Sequence, residues 1–148
     1  MEKTMLDYVN SIPELVTENL LDESLTKEFI DLYKNFDEDL ILVASGSSFN
    51  ACMSVKYALR DLLDKNVEVF TAHTFKYYEL DKFKDKFILV VSQGGKSTNC
   101  IDLVDSLKAK GINGAVLTSN VESEIGKHSY KVFDYGIGIE TVGYVTRG

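Results

Sequence analysis

The chain has 148 residues, 45% of them hydrophobic and 11% aromatic, which suits one domain with its own core. Its formal net charge of -7 argues against a nucleic-acid partner, which asks for a basic face, so any anion site must be local. No apolar run reaches the roughly 20 residues of a membrane span, and the opening residues lack the basic-then-apolar layout of a signal peptide. A soluble, cytoplasmic protein with no membrane partner is the expectation.

Between Thr4 and Leu21, Met5, Tyr8, Val9, Ile12, Leu15, Val16 and Leu20 recur every three to four residues around Pro13, the only proline. This predicts two short helices broken before Pro13, with the proline in the first turn of the second. Leu25, Phe29, Leu32 and Phe36 form a third helical stripe, so residues 1–37 read as an N-terminal helical arm and 38–148 as the main domain. Asp39 to Ala44 reads as a buried strand, followed by a helix with Cys52, Val55, Leu59 and Leu62 on one face and Lys56, Arg60 and Asp64 on another. Val67–Thr71 is a second strand and His73–Leu80 a helix. Phe87–Val91 is the central strand, and the next helix runs from Ser97 to a stop at Gly111. Gly114–Thr118, a short helix over Val121–Lys127 and a strand over Tyr130–Tyr135 complete the order.

Strands alternating with helices, and strands apolar along their whole length, predict a parallel sheet covered on both faces. The expected class is α/β, a three-layer α/β/α sandwich on a five-stranded parallel sheet. Ligands of such sheets bind beyond the carboxyl ends of the strands, where the strand order reverses. Two glycine–serine loops fall at carboxyl ends, Ser45–Ser48 and Ser92–Ser97. A loop of this kind at a helix N-terminus presents free amides and hydroxyls to an anion. For Gly46-Ser47-Ser48 a purely conformational role stands beside that reading, since Ser caps helices and Gly takes positive φ. The second loop has Ser92, Gln93, Ser97 and Thr98 around two glycines, more donors than a plain turn needs, and Lys96 adds either a ligand charge or a solvated one.

Glu140, after Gly136 and Gly138, reads either as a group beside the crevice, capping a helix or orienting a ligand hydroxyl, or as an exposed acid. Cys52 and Cys100 have no C-x-x-C spacing and read as buried free thiols. His73 and His128 have no partner at metal-ligand spacing, so no metal or cofactor is expected. His73 reads as a cap or surface residue, and Tyr77-Tyr78 with Phe75 as a packing or subunit contact. No pair of residues makes a nucleophile and its base, and no catalytic residue is assigned beyond Glu140 as a candidate.

Five segments, in order, resemble the sugar isomerase (SIS) domain family. Ile12-Pro13-Glu14-Leu15 is similar to its N-terminal E-Q-P region, and Ala44-Ser45-Gly46-Ser47-Ser48-Phe49-Asn50-Ala51 to its G-T/S-S-Y/F-x-A loop. Thr74-Phe75-Lys76-Tyr77 resembles E-F-x-Y, and Ser92-Gln93-Gly94-Gly95-Lys96-Ser97 resembles S-Q-S-G-E-T. Gly138 to Arg147 is similar to G-x-E-x-x-V-A-S-T-K. The likeness is to the first of two SIS domains in the tandem aminosugar-phosphate isomerase group, which includes the isomerase half of glutamine–fructose-6-phosphate aminotransferase and the fructosamine-6-phosphate deglycases.

The resemblance implies a flavodoxin-like SIS fold that binds a phosphorylated sugar or aminosugar. It assigns phosphate binding to Ser47, Ser48, Ser92, Gln93, Gly94, Lys96 and Ser97, and places Gly46, Glu140 and Gly143 beside the sugar. Two departures, Gly94 for a serine and Lys96 for an acid, exchange a hydroxyl contact for a charge. Tyr144-Val145-Thr146-Arg147 in place of A-S-T-K points away from aminohexose synthesis and towards a deglycase-like or other phosphosugar isomerase. The implied chemistry is aldose–ketose isomerisation or amine release through an enediol or enamine, its acid and base lying in a second SIS domain or a neighbouring subunit. On this reading the domain is cut short before its last helix and second half, and pairs as a homodimer or with another SIS domain. The alternatives are a sugar-phosphate-sensing SIS module of a regulator and a flavodoxin-type phosphate or nucleotide binder.

Overall fold

The computed structural model describes residues 3–36, 39–129, 131–142 and 147. Thr4 caps α1 (Met5–Asn10): its hydroxyl accepts from the Asp7 N–H while the Asp7 carboxylate takes the Thr4 N–H at 2.7 Å. The break before Pro13 falls at Ser11, and α2 (Ile12–Leu21) carries the proline in its first turn, where a missing N–H costs no hydrogen bond. Next come α3 (Ser24–Lys34), β1 (Leu40–Ala44), α4 (Gly46–Leu63) and β2 (Val67–Thr71). The segment predicted helical from His73 is helical in three geometries: α5 (Ala72–Thr74), a π turn (Phe75–Glu79) and a 3-10 turn (Leu80–Lys82). The chain continues through β3 (Phe87–Val91), α6 (Thr98–Ala109), β4 (Gly114–Thr118), α7 (Glu124–His128) and β5 (Val132–Asp134).

The five strands are parallel, in the order β2-β1-β3-β4-β5. Their side chains alternate between two cores. Ile41, Val43, Ile88, Val90 and Val116 face Ala72, Phe75, Leu103, Val104, Leu107 and Ile125, so α5 with the π turn after it, α6 and α7 cover one side. Leu40, Leu42, Ala44, Phe87, Leu89, Ala115 and Phe133 face Tyr33 and Cys52, with Phe29, Phe36, Phe49, Leu59 and Leu63 packed around them. The molecule is a three-layer α/β/α sandwich. Among the described residues α4, the crossover from β1 to β2, is the one connecting helix on that second face. The remaining strands are covered by α3, whose Phe29 and Tyr33 rings lie 6.1 and 5.4 Å from Phe87, with Phe29 also 5.4 Å from Phe133.

Three predicted details are corrected. On α4, Val55 and Leu62 do not share the buried face of Cys52 and Leu59; they are 45% and 82% exposed. At 100° per residue they fall about 60–80° to one side of Cys52, while Phe49 and Leu63 lie to the other. Lys56, assigned to the polar face, sits within this row and carries its ammonium out to Glu68 of β2 at 2.8 Å. The short helix begins at Glu124 rather than Val121, because Asn120 holds the preceding residues in a turn through Glu122 N–H (3.1 Å) and Ser123 N–H (3.0 Å). The last strand is Val132–Asp134 rather than Tyr130–Tyr135, and Tyr130 is outside the described residues. Among the described residues, no helix is long and apolar enough to cross a membrane.

Candidate functional site

Strand order reverses between β1 and β3, and the two strands end level: Ala44 pairs with Val91, so the chain leaves the sheet at Ser45 and Ser92 side by side. Ser45 stays extended, Gly46 turns the backbone at φ +59°, and α4 starts at once. The positive φ explains glycine there. Ser45 Oγ reaches Cys100 Sγ of α6 at 3.6 Å, tying the turn to its neighbour.

The second loop is held more firmly. Ser92 N–H donates to Leu117 O at 3.0 Å, prolonging the β3–β4 pairing beyond the strand. On the Gln93 carbonyl three donors converge, Ser119 N–H and Thr118 Oγ1 at 3.0 Å and Ser119 Oγ at 2.8 Å. Gly95, at φ +65°, donates to Ser92 O (3.1 Å) and accepts from Ile125 N–H (3.0 Å). A Cβ at Gly95 would lie 1.9 Å from Ser123 Oγ, so the loop and the turn before α7 touch where only glycine fits.

Between these loops lies a cleft of about 380 Å³, a size within the range of small-molecule sites. Ser48, Ser92, Gln93, Gly94, Lys96, Ser97 and Glu140, all singled out in the sequence, line it. Gly46 and Ser47 are adjacent in the chain but outside the lining, and Ser47 is exposed. Gly143 lies outside the described residues. Val142, one of the residues after Glu140 that the resemblance sets beside the sugar, also lines the cleft, as do Ser119, Asn120 and Ile139, which the sequence did not single out. Thr118-Ser119-Asn120 follows an apolar strand with the same change to small polar residues as the other two loops, and that was the available signal.

Glu140 is not an exposed acid: its side chain is 1% exposed. Its Oε1 accepts from Gln93 Nε2 at 3.3 Å and from the Arg147 N–H at 2.8 Å, and Arg147 Nε lies 3.7 Å away. The Arg147 guanidinium stacks on the Tyr8 ring at 4.8 Å, and the buried Tyr8 hydroxyl meets both Thr141 N–H and Thr141 Oγ1 at 3.2 Å. Burial, with Glu140 and Asp134 adding, pushes the Tyr135 phenol far up, so it stays neutral beside this pair.

The cleft lining combines several chemistries. Two helices of 18 and 12 residues begin at it, neither using a side chain to cap its first turn. Ser48, Ser92, Ser97 and Lys96 line it beside these helix starts, whose first-turn amides and dipoles favour an anion. Ile139, Val142 and the Glu140 carboxylate, which is paired with Arg147, line the cleft as well. His73 takes no part: it is exposed and its ring packs 4.8 Å from Tyr77. Both cysteines are buried and free.

A family model described as SIS domain matches residues 37–145. Over 163 aligned residues, 99% of this chain and 26% of the relative, the sequence is 28% identical to glutamine–fructose-6-phosphate aminotransferase (isomerizing) of Clostridium perfringens. The chain spans about a quarter of the length of such relatives. In three dimensions it is similar to a candidate phosphosugar isomerase from Clostridium difficile 630, with a TM-score of 0.77 at 23% identity over 98% of this chain and 41% of that one. It is likewise similar to the C-terminal domain of glucosamine-fructose-6-phosphate aminotransferase from Francisella tularensis, with a TM-score of 0.72 at 21% identity over 92% and 40% of the two chains. These structural likenesses concern the fold, while the match over 37–145 places the chain in the SIS domain family.

Proposed function

We propose that the cleft binds a phosphorylated sugar or aminosugar, its phosphate at the α4 and α6 N-termini and its polyol towards Gln93 and Glu140. The observation that carries this is the convergence of Ser48, Ser92, Ser97 and Lys96 on two uncapped helix starts at the point where strand order reverses. In a chain of net charge -7 a local anion site needs such a construction. The names of the relatives support the sugar-phosphate class. On this reading the chain is the substrate-holding half of a cytoplasmic phosphosugar isomerase or deglycase-like enzyme. A second SIS domain or subunit completes the acid–base chemistry. Leu6, Leu20 and Leu21, which are 66%, 79% and 80% exposed, support pairing with a second copy or domain. Sedimentation as a stable monomer at micromolar concentration contradicts that last point.

One observation favours a second reading, a sensing module without turnover. Glu140, the carboxylate of the described lining, is held by Gln93 and Arg147 rather than standing ready as a base. Turnover of hexose phosphates by the parent protein separates the two.

The direct test is a thermal-shift titration with fructose 6-phosphate, glucosamine 6-phosphate, inorganic phosphate and a nucleotide. A ligand at 100 times its Kd stabilises the fold by about 2.7 kcal/mol. The reading predicts a shift with the hexose phosphates that Ser92→Ala removes. A shift with the nucleotide alone contradicts it.

A further inference from the structure

The Gln93 side chain poses a problem of orientation. Its amide has a donor end and an acceptor end of nearly equal shape, and turning it over exchanges what the cleft offers a ligand. A carboxylate accepts and does not donate, so Glu140 Oε1 at 3.3 Å admits only the NH₂ end. One N–H is thereby committed to Glu140, leaving the second N–H and the carbonyl oxygen in fixed places. The orientation is only as firm as the Glu140 carboxylate. That group is 1% exposed, and a buried carboxylate persists as an anion when it has cations and donors around it.

Those supports come from opposite ends of the chain. Arg147 supplies a backbone N–H at 2.8 Å and a side chain nine-tenths buried, its Nε 3.7 Å from Glu140 and, among the described residues, without a hydrogen-bond partner. The guanidinium lies over the Tyr8 ring at 4.8 Å, a contact that helps to hold it. Tyr8 belongs to α1, is itself 4% exposed, and fixes the backbone next to Glu140 through its hydroxyl on Thr141 N–H and Oγ1. The line of contact runs from Tyr8 to Thr141 and Arg147, then to Glu140, and ends at the Gln93 amide in the cleft wall.

We propose that Tyr8 and Arg147 are positioning residues of the cleft: together they hold the Glu140 carboxylate, and through it the Gln93 side-chain amide, in the orientation offered to the hydroxyls of a ligand. The opening helix of the chain thus becomes part of the site although none of its residues lines the cleft. The part of this inference that concerns ligand hydroxyls rests on the sugar-phosphate reading. The part that concerns Gln93 does not.

The test uses the whole chain labelled with ¹⁵N, and reads the Gln93 side-chain NH₂ resonances by NMR without ligand in wild type, Tyr8→Phe, Arg147→Lys and Glu140→Gln. Tyr8→Phe keeps the ring under the guanidinium and removes only the hydroxyl, so the fold is retained. The account expects the Gln93 NH₂ pair to move in Tyr8→Phe in the direction it takes in Glu140→Gln, with Arg147→Lys intermediate and backbone amides of β1 and β2 unmoved. A Gln93 NH₂ pair unchanged in Tyr8→Phe overturns the proposal whatever the ligand. The same variants are then titrated with glucosamine 6-phosphate and inorganic phosphate. Tyr8→Phe is expected to weaken the sugar phosphate by about three- to tenfold, the scale of one hydrogen bond, and to leave inorganic phosphate unchanged. Equal weakening of both overturns the positioning role. If wild type binds neither while Gln93 still responds, the sugar-phosphate reading fails and the Tyr8–Gln93 linkage stands.

Discussion

Two loops leave the carboxyl edge of the sheet side by side, both built from glycine and serine after an apolar strand, and they are held very differently. The β1–α4 turn is little more than Ser45 and Gly46: a Cβ at Gly46 would have nothing within 4 Å, and Ser47 is open to solvent. By contrast the β3–α6 loop is fixed along its length by the Leu117, Thr118 and Ser119 bonds, and Gly95 is pressed against Ser123 and Ile125. The same residue types thus serve as a simple change of direction in one place and a rigid shelf in the other. The difference lies in the neighbour. The first turn meets its neighbour through the Ser45–Cys100 contact, whereas the second loop is backed by the β4–α7 turn, whose Ser119 and Asn120 also enter the cleft.

Paired substitutions sharpen that contrast. Gly95→Ala meets both a positive φ and a 1.9 Å approach to Ser123 Oγ, so a loss of about 3 kcal/mol is expected from urea unfolding. Gly46→Ala meets only the positive φ, and its loss is expected near 1 kcal/mol. Equal losses would break the comparison.

Binding gives the next largest effect. Ser92→Ala removes a buried hydroxyl from the cleft lining and is expected to weaken hexose 6-phosphate binding about tenfold by calorimetry. Ser47→Ala is expected to stay within about twofold of wild type, because that exposed side chain does not line the cleft.

Behind the first turn, burial pushes the Cys52 thiol from its ordinary value near 9 up to about 11. A raised folded-state value favours the protonated form. The contribution to stability is therefore complete below pH 9 and lost as pH rises from there through 11. Unfolding free energies of wild type and Cys52→Ala measured between pH 7.5 and 11 check this: the gap between them narrows across that window, and a constant gap contradicts the assignment. Smallest is Ser123→Ala behind the second loop. It removes a buried hydroxyl that has no hydrogen-bond partner among the described residues, and it is expected to leave stability unchanged or raise it by up to about 1 kcal/mol.

What could be read in advance, and what could not, follows the same division. Strand positions were legible because β1 and β3 are apolar at every residue, a pattern only a sheet covered on both faces needs. Five residues of the cleft lining were legible because Ser92 to Ser97 carries more donors than a turn requires. Ser119 and Asn120 escaped because one serine and one asparagine after a strand are also an ordinary turn, and the turn they make is real. Nor could the Tyr8 contacts be read: 133 residues separate it from Thr141, and nothing local distinguishes it from other tyrosines on a helix. The α4 face was misjudged because Lys56 looks polar in a list of residues, while its stem lies along the core and only its ammonium reaches Glu68.

Central to the whole account is that a sugar phosphate lies in the cleft across both loops, and the most direct measurement is an amide shift map of the ¹⁵N-labelled chain titrated with glucosamine 6-phosphate. The account predicts that the largest changes fall on Ser92 to Ser97, on Gly46 to Ser48 at the start of α4, and on Ser119 and Asn120. Residues of the groove at the opposite edge of the sheet, such as Lys84 and Gly111, would stay unmoved. Changes centred on that groove, or none at millimolar ligand, would contradict it.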